Sequence, residues 1–248
     1  MNSSTFVDQD GRPVTAVTAE EMRAIDRVAV EKIGLDLPRM MEHAGRGLAD
    51  AVLRDGLTGQ SDLPVTVLAG NGGNGGGGLA CARHLANRSL PVEVVLDRAR
   101  TEVDGVTAEQ LRILEAMEVP IKSVDSGADL DIDTALEGVV VDALIGYGLT
   151  GAPRGAAAEL IEAANDKPGT VVSLDVPSGV NATTGEASGA AIAPDLTATL
   201  ALPKTGLAAV GGDLLLFDLS IPPAVYDRLD IDGGRPFGDK FEIPVSRA

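Results

Sequence analysis

The sequence predicts an α/β fold, with a mostly parallel central sheet covered by helices on both faces. Three observations predict it. Short, near-continuous apolar runs such as Val65–Ala69, Val92–Leu96, Val139–Val141 and Val171–Leu174 alternate with stretches of helical periodicity. That is how strands buried on both faces read. A glycine-rich junction follows the first of these runs, as in strand–loop–helix units that bring backbone N–H groups to a ligand. Finally, 248 residues suit one large domain, and neither an internal repeat nor a linker divides them.

Taken in order, residues 1–16 are polar and are expected to fray. Thr18 and Glu21 form a capping box that starts a helix, and Met22, Ile25, Ala29 and Ile33 follow at helical spacing until Gly34 stops the run. A second helix is expected after Pro38, with Met41, Ala44, Leu48 and Val52 on one stripe and His43 beside it. Val65–Ala69 is a strand. Gly70 to Gly78, with seven glycines in nine residues, reads as a loop, and a helix with Leu79, Ala82 and Leu85 on one face follows. Beyond it come a strand (Val92–Leu96), a helix (Asp104–Met117), a short strand (Val119–Val124) and a short helix (Asp129–Leu136). Next are a strand ending in Asp142, a helix (Arg154–Ala164) and a strand ending in Asp175. Two more strands, Ala198–Leu202 and Leu214–Leu219, complete the reading.

Composition narrows the class. There are 20 basic against 37 acidic residues, a formal charge of −17. Such a balance disfavours nucleic acid, which requires basic patches. Lysine is scarce, and an acidic, lysine-poor surface is expected of a halophilic protein kept dispersed in strong salt. The single Cys81 allows no internal disulfide and fits a reducing compartment. No basic-then-apolar leader opens the chain and no apolar run spans a membrane, so the expectation is a cytoplasmic protein with no membrane partner.

In open parallel sheets, ligands bind beyond the carboxyl ends of the strands. Three such ends carry informative residues: Asn74 within the glycines, Asp142 opening DALIGYGLTG, and Asp175 opening DVPSGVNATTG, where Pro177 restricts the chain before Ser178. If these strands are neighbours, Asn74, Asp142, Asp175 and Ser178 converge. Their oxygens are hard donors that suit an alkali or alkaline-earth ion rather than zinc or copper. Asp175, beside such an ion, is a candidate acid/base. Either Asp taken alone reads equally well as a cap or loop anchor.

Together these segments resemble the NAD(P)H-hydrate epimerase family, the YjeF N-terminal domain, over about residues 17–224. The resemblance rests on TAEEMRAIDRVAVEKIGLDLPRMMEHAGRGLADAV, the glycine stretch against a family GxGNNGGDGLVAARHL pattern, DALIGYGLTG, SLDVPSGVNATTG, LALPKTGL and LLLFDLSIPP. It implies a Rossmann-like three-layer sandwich and epimerisation at C6 of the hydrated nicotinamide ring of NADHX and NADPHX. It also implies one bound K+, with ligands falling on Asn74, Asp142 and Ser178. Substrate contacts fall on Gly73, Asn74, Gly75, Gly76 and Gly77, on Gly146, Tyr147, Gly148, Leu149, Thr150, Gly151 and Ala152, and on Asp175, the expected catalytic residue. The partner expectations are a homodimer and a separate ADP/ATP-dependent dehydratase. Gly73 and Gly77 stand where the family pattern has Asn and Asp, and His43 where it has Asn. A non-catalytic scaffold that keeps the fold and binds a nucleotide-like ligand or a protein partner is the alternative.

Overall fold

In the computed structural model, which describes residues 5–56, 63–123, 136, 138–166, 169–233 and 236–248, the apolar runs form the middle of a ten-stranded sheet. The strands are β1 (Phe6–Asp8), β2 (Pro13–Val14), β3 (Val65–Ala69), β4 (Val92–Leu96), β5 (Ile121–Ser123), β6 (Val139–Ala143), β7 (Thr170–Leu174), β8 (Leu196–Leu200), β9 (Asp213–Phe217) and β10 (Glu242–Arg247). The helices are α1 (Ala19–Val28), α2 (Leu37–Ala51), α3 (Gly73–Ala86), α4 (Gly105–Ala116), α5 (Ala156–Asn165) and the short α6 (Pro223–Asp227). The strand order is β2-β1-β10-β9-β8-β7-β6-β3-β4-β5. From β9 to β5 every pairing is parallel; β10, β1 and β2 close one edge antiparallel.

Strand periodicity sorts the core into two layers. Val67, Ala69, Val141, Ala143, Val172 and Leu174 face α2 and α3 and pack with Leu48, Leu79 and Leu85. Leu68, Val140 and Val171 face the other way and pack with Leu160 and Ile161 of α5. The chain leaves β3 for β4 and β5 on one side, then returns to place β6 on the other. The topological switch point therefore lies between β3 and β6, where ligand crevices open in sheets of this kind.

Of the stretch expected to fray, the described residues 5–16 include two paired strands. Phe6 is wholly buried and pairs opposite Arg247, and Val14 lies opposite Phe6. Partners some 240 residues apart leave no local signal. The Thr18 capping box is present: the Thr18 hydroxyl accepts the Glu21 N–H at 3.2 Å, and Glu21 accepts the Thr18 N–H at 2.7 Å. The stripe beyond it breaks, because Ala29–Ile33 forms a π-helical turn that rotates Ile33 outward to 38% exposure. Gly34 ends the run in the left-handed region, as expected. The expected helix at Asp129–Leu136 lies outside the described residues except for Leu136, which is buried.

The main revision concerns the glycines. The helix starts at Gly73, not after Gly78, so Gly75 to Gly78 are helical and buried. A side chain at Gly75 would overlap the Gly70 carbonyl, one at Gly76 would lie 2.5 Å from the Met41 sulfur, and one at Gly77 would lie 2.8 Å from Leu174 Cδ2. These glycines let α3 press against α2 and the sheet. Only Gly72 and Gly73 face open space, with nothing within 4 Å of a Cβ there.

Candidate functional site

Three chain segments meet at the switch point. The first is the turn after β3. Gly70 lets the β6 loop cross it, since a Cβ would strike Leu144 O. Asn71 then locks the turn to the start of α4: its Nδ2 donates to Asp104 Oδ1, its Oδ1 accepts the Asp104 N–H, both at 2.9 Å, and Thr107 donates to the Asn71 and Gly72 carbonyls. That anchorage aims the α3 N-terminus, with its unpaired N–H groups, at the crevice. Asn74 stands in this first turn, and its Nδ2 is buried without a protein partner.

The second segment is the end of β6. Asp142 lies inside the strand, is wholly buried and pairs in register with Ser173. Its Oδ2 accepts from Ser173 Oγ and Ser178 N, each at 2.8 Å. Its Oδ1 accepts from Ser178 Oγ at 2.5 Å and Leu144 N at 3.3 Å. Burial pushes this carboxyl above the usual range, and the Ser178, Ser173 and Leu144 hydrogen bonds oppose that shift. The loop beyond it touches each site residue in turn. Leu144 N–H reaches Asp142, Ile145 N–H donates to Ser178 Oγ at 2.8 Å, and Tyr147 N–H donates to Asp175 Oδ2 at 3.2 Å. Gly146 lies between: a Cβ there would sit 3.1 Å from Asn74 Oδ1 and 3.2 Å from Asp175 Oδ2. Glycine there spares both side chains a crowded contact.

The third segment is the end of β7. Asp175 has φ +67° and is 4% exposed. The Val176 N–H bonds to Leu174 O at 2.9 Å, which makes Asp175 the centre of a γ-turn with positive φ, a strained geometry. The next strand repeats it: Ala201 has φ +60° and the Leu202 N–H bonds to Leu200 O at 2.7 Å. Just beyond, fully buried Lys204 donates to Asp175 Oδ1 and, at 2.9 Å, to Leu200 O. On the α1 side, the Tyr147 hydroxyl donates to Asp26, and the Tyr147 ring lies 5.9 Å from both Arg23 and Lys204. Burial raises the Asp26 carboxyl, opposed by the Tyr147 hydrogen bond and the Lys204 charge; burial and Asp26 raise the Tyr147 hydroxyl.

The structure therefore brings Asp142 and Ser178 into direct contact, and sets Asn74 Oδ1 and Asp175 Oδ2 close to Gly146, with the Tyr147 N–H on Asp175. No hydrogen bond joins Asn74 to Asp142 or Ser178 among the described residues. Gly148, Leu149, Thr150, Gly151 and Ala152 extend the β6 loop over half-exposed to exposed ground, where ligand can approach. The donor set suits a monovalent cation in kind, because every oxygen is hard; the unpartnered atom of Asn74 is its Nδ2, an N–H donor that calls for an acceptor rather than a cation. Asp142 already accepts four hydrogen bonds, so an ion here would displace one of them, the 3.3 Å bond from Leu144 being the weakest. Among the described residues, no group of three or more His, Cys, Asp or Glu could hold a metal.

The sequence reading did not single out Lys204, Asp26 or Asn71. A signal existed for Lys204: it is one of only five lysines and directly follows an apolar strand. Asp26 and Asn71 had none, since acidic helix residues and loop asparagines are ordinary.

Residues 38–206 match the family described as YjeF-related protein N-terminus. The chain belongs to that family. The chain is 46% identical over 239 residues to an "NAD(P)H-hydrate epimerase" of Dehalogenimonas lykanthroporepellens, covering 94% of this chain and 93% of that one. It is 33% identical to an "NAD(P)H-hydrate epimerase" of Rhodopirellula baltica, covering 83% and 84%. A "Bifunctional NAD(P)H-hydrate repair enzyme Nnr" of Salinibacter ruber is 37% identical over 86% of this chain, which spans only 42% of that protein. In three dimensions the YjeF-type fold matches the crystal structure of yeast YNL200c, with TM-score 0.78 and 26% identity over 95% of this chain and all of that one. Among the described residues no helix is long and apolar enough to cross a membrane.

Proposed function

We propose that this chain is an NAD(P)H-hydrate epimerase, interconverting the R and S forms of NADHX and NADPHX in the cytoplasm. The observation that carries it is the strained, buried Asp175 at the switch-point crevice. Lys204 holds its Oδ1 and the Tyr147 N–H its Oδ2, and Oδ2 and Asn74 Oδ1 both lie close to Gly146, 3.2 and 3.1 Å from where a Cβ would stand.

In this reading the dinucleotide's phosphates lie toward the α3 N-terminus and the open backbone at Gly72 and Gly73. The hydrated ring lies at Asp175 Oδ2. Epimerisation breaks the C6–O bond as the hydroxyl leaves with a proton and the ring-nitrogen lone pair fills in. Water then adds to the opposite face and returns the proton. Asp175 Oδ2 exchanges that proton, and the cycle consumes nothing. Asn74, Asp142 and Ser178 are the residues that would hold K+, whose charge would offset phosphate repulsion in an acidic protein. The reading extends to a homodimer and to a separate ADP/ATP-dependent dehydratase as working partner.

The test is to follow R-NADHX to its S epimer with wild type and Asp175→Asn. A positioned acid/base contributes about 10²–10⁴-fold to rate. The variant should bind NADPH within a few-fold of wild type and turn over slower by that factor, with folding checked by melting because Lys204 loses its counter-ion. Activity lost only in proportion to binding would reduce Asp175 to a contact. Binding without turnover in wild type would favour the scaffold alternative.

A further inference from the structure

We infer that Lys204 is a positioning residue for the reaction: it clamps Asp175 Oδ1 so that Oδ2 alone is presented to substrate. Its ammonium is wholly buried and has three protons to place. One goes to Asp175 Oδ1 and one to Leu200 O, while the face of Tyr147 lies alongside. Those two acceptors belong to the ends of neighbouring strands β7 and β8, each turned through a γ-turn at positive φ, at Asp175 and Ala201. Leu200 O already accepts the Leu202 N–H of its own turn, so the ammonium ties the two turns together. The lysine's backbone is held as firmly as its tip. Val17 bridges to Lys204; its N–H donates to Pro203 O at 2.8 Å, and its carbonyl accepts the Thr205 N–H at 2.9 Å. A surface lysine would lose this geometry to rotamer freedom; here every bond of the side chain is packed.

With Oδ1 occupied, the carboxylate has one oxygen left for chemistry. Tyr147 N–H fixes that oxygen from the side, and on its other side lies the Gly146 backbone, where glycine lets Asp175 Oδ2 and Asn74 Oδ1 approach. Without the ammonium, only the 3.2 Å bond from the Tyr147 N–H restrains the Asp175 carboxylate, and Oδ1 can turn into its place. Loss should therefore fall on turnover rather than on substrate affinity, because Lys204 is wholly buried and acts through Asp175.

The kinetic arm of this inference rests on the epimerase reading; a second arm does not. Lys204→Met keeps the aliphatic volume and removes the charge. Its kcat should fall about 10²-fold, the scale for roughly 1 Å of misplacement, with KM within threefold of wild type. Lys204→Ala should recover at least tenfold in kcat when propylammonium chloride replaces choline chloride at equal concentration. Independently of activity, amide exchange should report the clamp: the Tyr147 N–H, which is bonded to Asp175, should exchange faster in Lys204→Met while the β6 amides remain protected. If Lys204→Met fails to fold, Lys204→Met in the Asp175→Asn background removes both charges, and propylammonium rescue of Lys204→Ala carries the test. Wild-type kcat in Lys204→Met, or a loss shared by kcat, KM and every amide with no amine rescue, would overturn the clamp. If wild type shows no epimerisation, the epimerase reading fails, and unchanged Tyr147 exchange in Lys204→Met would then overturn the inference by itself.

Discussion

Gly45 separates a packing role for the glycines from a merely flexible one. It lies within α2, where alanine has about 1 kcal/mol better helix propensity. On propensity alone, Gly45→Ala stabilises. The structure reverses the sign. A Cβ there would sit 2.5 Å from Ala80 Cβ and 2.8 Å from both Gly77 O and Cys81 N of α3. Ordinary contact begins near 3.4 Å, so the helices must part by about 0.9 Å to clear Ala80 Cβ, and all three obstacles are backbone or Cβ atoms that cannot rotate away. Overpacking of this kind costs about 1–3 kcal/mol. Net of propensity, a loss of up to about 2 kcal/mol is expected, which for a domain of this size lowers Tm by up to about 8 °C. Gly73→Ala is the control: it stands at the first helical position with nothing within 4 Å of its Cβ, and should raise stability by about 0.4–1 kcal/mol. Thermal and urea unfolding of both variants give the comparison. Because α3 carries Asn74, Gly45→Ala should also weaken NADPH binding. A rise in Tm for Gly45→Ala matching that of Gly73→Ala would refute the packing argument.

Two further outcomes are expected. An ion held by Asn74, Asp142 and Ser178 in the native state alone should raise Tm more in KCl than in equimolar choline chloride, and Asp142→Ala should abolish that difference while lowering Tm in both salts, because it strands the Ser173 and Ser178 donors; an equal response in wild type and variant would remove the ion. With a formal charge of −17, dialysis into dilute buffer should reduce helical circular dichroism through unscreened repulsion, and an unchanged spectrum and Tm would remove the halophilic expectation.

Much of the fold is local and was legible. The parallel strands read as apolar runs because both of their faces are buried, and the Thr18 capping box marked α1 because its partners lie three residues apart. The candidate site was legible in part for the same reason: Asp142, Asp175 and Ser178 lie at or just beyond strand ends, and strand ends are where such sheets bind. What the sequence could not determine depends on contacts distant in the chain. The β1–β10 pairing joins the two termini, so a polar N-terminal stretch is ordered. The glycines looked like a loop because glycine is a poor helix former; only the nearness of Met41, Leu174 and Ala143 explains why a helix needs them there. Lys204 lies 29 residues from Asp175, and only parallel neighbours β7 and β8 put their ends side by side. Residue type and spacing determined which groups could do chemistry; the order of strands in the sheet decided which of them meet, because a parallel sheet brings together ends that long connections keep apart in the chain.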